Sequence, residues 1–94
     1  MNVELEWDAE VIVTAVLNLS MGGAFLELPT GHAVTQGERV HVHLSVGERT
    51  PRQAAQVVRS SDGPPRGFAA AWSAPTAETL AVVAILLEQA RQAA

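Results

Sequence analysis

The sequence predicts a mainly β fold, a barrel or sandwich of five or six short strands, followed by one helix near the C-terminus. Apolar and polar residues alternate over most of the chain up to residue 72, which is the period of half-buried strands. Turn-forming residues separate these stretches at short intervals, as is typical of barrels and sandwiches. After Pro75 the apolar residues recur at the spacing of a helix.

The first alternating stretch covers residues 3–17, where every odd position is apolar. This pattern predicts one half-buried strand, or two strands with a break near residues 8–10. Four of the even positions carry carboxylates, namely Glu4, Glu6, Asp8 and Glu10. Because alternate side chains on a strand point the same way, these carboxylates are expected to share one face as an acidic stripe. Such a stripe suits a basic partner.

Turn residues define the remaining strands. Residues 18–23 are predicted to form a turn, because Asn, Ser and paired Gly residues favour unusual backbone angles. Further strands are expected at residues 24–28, 39–46, 52–60 and 67–72. They are separated by a loop up to residue 38 and by turns at residues 47–51 and 62–65.

The C-terminal helix is predicted over about residues 76–92. One apolar face is formed at helical spacing by Leu80, Val83, Ala84, Leu87 and Ala90. Val82, Ile85 and Leu86 lie off that face, and one barrel does not cover both sides of a helix. These three residues are therefore predicted to form an interaction surface, either for a homo-oligomer or for a partner protein. The alternative is a helix that lies in a groove of its own domain.

Length and composition restrict the functional classes. The 94 residues fit a single domain spanning 1–94, and no cysteine is present to supply a disulfide, a thiolate ligand or a nucleophile. A net charge of −4 without any lysine disfavours nucleic acids and anionic membranes as partners. No signal peptide is recognised, and no apolar run reaches the ~20 residues that a bilayer requires. A cytoplasmic location is expected.

The sequence shows no catalytic motif. A Gly-rich phosphate loop would need a lysine, and the G-x-S-x-G pattern of hydrolases does not occur. His41 and His43 lie two residues apart on one strand face and could chelate a metal together with His32 or a carboxylate. Solvated histidines on a strand face are the favoured interpretation. We therefore predict neither catalytic residues nor a metal site, and the protein is not expected to be an enzyme.

Residues 18–26 resemble the second signature of PilZ domains, an Asp or Asn, then Ser two residues later and Gly three residues after that, followed by a hydrophobic strand. Asn18, Ser20 and Gly23 match this signature. The rest of the chain follows the order of elements in the family. It contains residues 37–40 and the alternating strand after them, then residues 56–59, a Gly-Pro turn, residues 67–68 and a terminal helix. The resemblance covers nearly the whole chain.

The resemblance implies a six-stranded antiparallel barrel with a C-terminal helix, acting in bacterial signalling or motility pathways linked to cyclic di-GMP. Many PilZ domains bind this nucleotide. Their Asn or Asp and their Ser contact a guanine edge, and the Gly allows close approach of the ligand. These roles would fall on Asn18, Ser20 and Gly23. The alternative is that Asn18 and Ser20 only form hydrogen bonds with the backbone.

The chain departs from the family at its other half-site, an N-terminal R-x-x-x-R arm. No arginine precedes Arg39, and Arg49 and Arg52 are three residues apart rather than four. Loss of two charge-assisted contacts is expected to weaken binding by about 10²- to 10⁴-fold. We therefore expect a module that acts through protein–protein contact, with lost or weak cyclic di-GMP binding and no other cofactor. The alternative is a genuine receptor that recruits arginines from elsewhere, either Arg39, Arg59 and Arg66 or, if this chain is an excised domain, an upstream segment.

Overall fold

A two-residue turn at Asp8 and Ala9 divides the first alternating stretch into two strands. Both residues have positive φ angles, 51° and 64°, which suit the tight reversals that join antiparallel strands. The flanking strands pair with Trp7 opposite Glu10. The predicted break near residues 8–10 is confirmed.

The same turn changes which residues face the interior. Before it, the odd residues Val3 and Leu5 are buried, as the alternation predicts. Beyond it, Val11 and Val13 are 61% and 65% exposed. Residues directly opposite each other in an antiparallel pair share a face, and Leu5 lies opposite Ile12. The even positions from Ile12 to Val16 therefore face inward, and the prediction of one apolar face along all the odd positions is wrong there.

The computed structural model describes residues 1–93 and contains six strands and one helix. In chain order these are β1 (Asn2–Trp7), β2 (Glu10–Ser20), β3 (Gly23–Glu27), β4 (Arg39–His43), β5 (Arg52–Ser61), β6 (Gly67–Trp72) and α1 (Ala77–Ala93). All pairings are antiparallel, and the strands close into a barrel in the order β1-β2-β3-β6-β5-β4. The predicted six-stranded antiparallel barrel with a C-terminal helix is confirmed.

Aliphatic and aromatic side chains from five of the strands fill the barrel. Leu5, Leu26, Val42, Val57 and Phe68 are each at most 1% exposed. β4 ends three residues before the strand predicted at 39–46, but its alternation correctly predicts which residues face the core. Regular inward spacing in each strand thus produces one continuous hydrophobic core.

Side-chain caps hold the start of α1. The Oγ1 atom of Thr76 accepts a hydrogen bond from the backbone N–H of Thr79 at 3.0 Å, which satisfies one free donor of the first turn. The buried Gln53 donates from Nε2 to the carbonyl of Ser73 at 2.8 Å and so ties the preceding linker to β5. Within residues 1–93, no helix is both long and apolar enough to cross a membrane.

The inner face of α1 differs from the predicted one. Thr79, Val82 and Val83 are at most 1% exposed, and Leu86 packs partly buried against the core. Val82 is therefore a core residue, and its assignment to an interaction surface is wrong; Ile85 and Leu86 are half-buried. Val83 and Leu87 of the predicted face do pack against the core. The periodicity did not include Thr79, because it is polar; its hydroxyl lies 3.1 Å from Thr76 Oγ1, which donates to it.

Candidate functional site

The reversal between β2 and β3 is tighter than predicted. Asn18 and Ser20 belong to β2 and Gly23 begins β3, so only Met21 and Gly22 form the turn. The prediction that residues 18–23 form one turn is therefore wrong. In the paired strands Asn18 lies opposite Phe25, and Ser20 lies opposite Gly23. The pairing places the three residues of the motif at one end of a regular hairpin.

A β-bulge controls which residues of β2 face outward near this hairpin. The register shifts between Val16, opposite Leu26, and Asn18, opposite Phe25, so Leu17 is the extra residue. A bulge inserts one residue into one strand and re-aims the side chains that follow it. Asn18 and Ser20 are both exposed as a result, and they line an open depression of about 230 Å³ on the outside of the barrel.

The two polar side chains of the motif differ in their hydrogen bonding. The hydroxyl of Ser20 lies 3.2 Å from the carbonyl oxygen of Gly23, to which it donates. Ser20 therefore forms the hydrogen bond with the local backbone that the sequence analysis gave as the alternative to ligand contact. The amide of Asn18 is exposed on the rim of the depression, where its donor and acceptor can meet a ligand.

Gly23 is required by strand packing. A Cβ atom on Gly23 would lie only 2.1 Å from the carbonyl oxygen of Ala70 in β6. The resemblance predicts instead that this glycine makes room for a ligand. The close approach of two backbones already explains the residue without any ligand.

β6 forms the floor of the depression at Ala69, Ala70 and Ala71. The side chains of Ala69 and Ala71 face outward, whereas that of Ala70 is buried in the core and only its backbone borders the depression. Phe25 of β3 and Arg59 of β5 both lie opposite Ala69 in the sheet. Small side chains on the central strand leave a hollow between the larger residues of its neighbours. The depression is thus a consequence of strand order together with an alanine-rich strand.

Arg59 is the cation of this site. Its guanidinium carbon lies 5.5 Å from the centroid of the Phe25 ring, within the range of a cation–π contact. Of the three candidate arginines, the structure brings only Arg59 to the motif; the Arg66 side chain donates to the carbonyl of His32 at 3.1 Å, and Arg39 lies on β4. Sequence reasoning named Arg59 among others, but the strand order was needed to select it.

This arrangement has a definite chemical capacity. An exposed amide can bind a polar base edge by a donor–acceptor pair, and a guanidinium can bind a phosphate or stack on a planar ring. The alanine floor offers a flat apolar surface. Asn18 and Arg59 are therefore suited to a ligand with a planar polar ring and one negative group.

The expected acidic stripe does not form as predicted. Glu4 and Glu6 lie on β1, but Asp8 is in the turn and Glu10 lies on β2. The hairpin therefore separates the four carboxylates, and the prediction of one shared face is wrong. Glu10 approaches the ring of His32 instead, with Oε2 and Nε2 3.6 Å apart.

Glu6 is compensated by two basic side chains from β4 and β5. Its carboxylate accepts hydrogen bonds from Nε of Arg52 at 2.6 Å and from Nη2 at 3.1 Å, and it also bonds to the ring of His43. The hydrogen bonds from Arg52, and then from His43, lower the pKa of Glu6 to about 2. The same contact raises the pKa of Arg52.

The histidines face outward on β4 but do not gather a metal-binding set. His41 and His43 are half-buried on one face of the strand, and His43 is engaged by Glu6. His32 lies beside Trp7, with ring centroids 5.3 Å apart. Among the residues that the structure describes, no group of three or more His, Cys, Asp or Glu residues is placed to hold a metal ion.

Comparison with known families gives one result. The family model of the PilZ domain matches residues 2–87, which include all six strands and more than half of α1. Neither the curated proteins nor the solved structures contain a significant match to this chain.

Proposed function

Because the chain belongs to the PilZ domain family, whose members are binding modules of cyclic di-GMP-related signalling, we propose that it regulates a protein partner by direct contact and binds cyclic di-GMP weakly or not at all. In this role it has no catalytic activity of its own. The partner belongs to a bacterial signalling or motility pathway.

The observation that carries this proposal is the presence of a single cation at the site. Among residues 1–93, Arg59 is the one arginine that lines the depression. Other arginines are engaged elsewhere, Arg52 with Glu6, Arg66 with the carbonyl of His32 and Arg91 with Glu88. Cyclic di-GMP carries two phosphate charges, so one of them lacks a counter-charge here.

The affinity expected from this site follows from the missing contact. A hydrogen bond to a charged group contributes about 1.5–3 kcal/mol, so one absent guanidinium weakens binding by roughly 10- to 100-fold. This penalty is smaller than the sequence alone suggests, because Arg59 replaces one of the two absent arginines. Weak binding with a contact-based function fits this site better than tight binding.

The second candidate is a genuine cyclic di-GMP receptor, and a specific contact favours it. Arg59 lies over Phe25 in the same depression as the exposed amide of Asn18. In a receptor, Asn18 would bind the guanine edge, and Arg59 would pair with phosphate or stack on the base.

Isothermal titration calorimetry with cyclic di-GMP distinguishes the two candidates. The proposal predicts either no measurable binding by the unmodified chain or a dissociation constant well above the micromolar range. Asn18→Ala and Arg59→Ala test the site, and Arg91→Ala on α1 is a matched control for loss of positive charge. Micromolar or tighter binding that Asn18→Ala and Arg59→Ala abolish, and that Arg91→Ala preserves, would overturn the proposal in favour of the receptor.

A further inference from the structure

The outer surface of β1 and β2 carries apolar side chains where the rest of a protein surface is usually polar. Val11 and Val13 are 61% and 65% exposed, more than any other large hydrophobic residue within residues 1–93. In the hairpin Val11 lies opposite Glu6, and Val13 lies opposite Glu4. We call these four residues the Val–Glu face.

The two carboxylates of the Val–Glu face are not equivalent. Glu6 is held by Arg52 and His43, so its charge is compensated. Glu4 is exposed and takes part in none of the ion pairs formed within residues 1–93. The face therefore presents one uncompensated negative charge directly beside exposed valines.

A shallow depression extends the face around Glu4. It has a volume of about 330 Å³, and Glu4, Val13, His43 and Thr50 contribute to its lining. The apolar side chain of Val13 and the carboxylate of Glu4 thus line the same depression. A long basic side chain can lay its methylene stem on Val13 and place its charge beside Glu4.

The contact inferred for this face is made by side chains. The early stretch of β2 that carries Val11 and Val13 pairs with β1, whereas β2 pairs with β3 only from Val16 onward. A partner strand that added to this stretch by its backbone would be insensitive to Glu4→Gln and Val13→Thr, so these two variants distinguish side-chain contact from strand addition.

Charge argues against a second copy of the chain as the occupant. The net charge is −4 and the sequence contains no lysine. A two-fold dimer through this face would bring its carboxylates together, since both copies present the same residues. Like charges that meet at an interface are unfavourable. Complementarity instead requires a partner with aliphatic and basic side chains next to each other.

We propose that the Val–Glu face binds a partner protein through a segment in which aliphatic residues are interspersed with lysine or arginine. This inference rests on the proposed contact-based function and locates the contact on β1 and β2. The aliphatic side chains cover Val11 and Val13, and a cation pairs with Glu4.

The test is an NMR titration of the isotope-labelled chain with two short probe peptides. One consists of Val-Lys-Ser repeats, and the control has Val-Glu-Ser repeats of the same length. The basic peptide is expected to shift the amide signals of Glu4, Val11 and Val13, and salt at about 0.5 M is expected to weaken the effect through screening. The acidic peptide is expected to leave these signals unchanged.

Substitutions on the Val–Glu face test which side chains bind the basic peptide. Glu4→Gln is expected to weaken binding of the basic peptide by about 2- to 5-fold, and Glu4→Lys is expected to reverse the preference between the two peptides. Val13→Thr keeps the shape of the side chain and is expected to weaken binding by about threefold. Val58→Thr, an exposed valine on β5, is the matched control and is expected to have no effect. Well-dispersed spectra establish that each variant is folded.

Several results would overturn this inference. They are no binding of the basic peptide, equal shifts with both peptides, shifts confined to α1, or concentration-dependent shifts without peptide that reveal a second copy on this face. In a separate titration of the same labelled chain with cyclic di-GMP, binding at the depression is expected to shift the amide signals of Asn18 and Arg59. Tight binding of the nucleotide at these residues would contradict the proposed function. The effect of Glu4→Lys on peptide binding tests separately whether the Val–Glu face is a contact surface.

Discussion

One strand, β2, contributes to two different outward surfaces. Its first half presents Val11 and Val13 beside the carboxylates of β1, and its second half presents Asn18 and Ser20 beside Arg59. The outward residues are odd in the first half and even in the second, because the bulge at Leu17 shifts the register between them. The comparison shows that one added residue decides which side chains of β2 face outward, apolar ones before the bulge and polar ones after it.

The charges of the two surfaces are also opposite. The depression at Asn18 has an arginine held by an aromatic ring, which suits an anion. The Val–Glu face has an unpaired carboxylate, which suits a cation. The proposed nucleotide site and the proposed protein-binding surface therefore lie on different residues of one barrel.

The largest predicted effect concerns the backbone beneath the depression. Gly23→Ala forces a Cβ atom against the carbonyl of Ala70 and is expected to lower the free energy of unfolding by about 3 kcal/mol. Gly22→Ala is the control, since nothing lies within 4 Å of its added Cβ atom. Urea denaturation measures both, and equal stability of the two variants would contradict the close approach of β3 and β6.

The next effect tests the register of β2 before the bulge. Ile12→Thr places a hydroxyl on the inward side and is expected to lower the free energy of unfolding by about 2 kcal/mol. Val13→Thr alters an exposed residue and is expected to change stability by less than about 0.5 kcal/mol. The reverse order in thermal or urea unfolding would show that the odd positions face the core after all.

A gain of affinity is predicted when the depression receives a second cation. Val58 lines it and is partly exposed, so Val58→Arg adds a guanidinium beside Arg59. Cyclic di-GMP affinity is expected to rise about tenfold. Val58→Gln, which is long and polar but uncharged, is the control. An equal response of the two variants in calorimetry would mean that charge does not limit binding.

The smallest effect is a pH dependence on the Val–Glu face. The pKa of Glu6 is about 2, below its usual value of 4.5, so its ionised form is favoured by folding. Its contribution to stability is full above about pH 4.5 and is lost as the pH falls towards 2. Glu6→Gln should flatten the stability profile in that window, and Glu4→Gln should not. Identical acid profiles of both variants and the unmodified chain would exclude the Arg52 contact in solution.

Much of the fold could be predicted from the sequence because strands and turns are local. Alternation and turn residues correctly predict the order of the strands, and the motif at residues 18–26 indicates the family. The register of β2 could not be predicted, since a bulge leaves no mark in the pattern. The inner face of α1 was predicted only in part: Val83 packs against the core as expected, but Thr79 is polar yet buried and was not included.

The candidate site was only partly predictable, for a topological reason. Phe25 and Arg59 become neighbours because both lie opposite Ala69 on the strand between them. Glu6 and Arg52 are 46 residues apart in the chain and meet only when β1, β4 and β5 pair. Spacing within one segment carries no information about such contacts.

The affinity of the unmodified chain for cyclic di-GMP is the most direct test of the central claim. Calorimetry is expected to show no measurable binding or a dissociation constant well above the micromolar range, because a single arginine lines the depression and the ligand carries two phosphates. A micromolar constant that is lost in Asn18→Ala would contradict the account and identify the chain as a receptor.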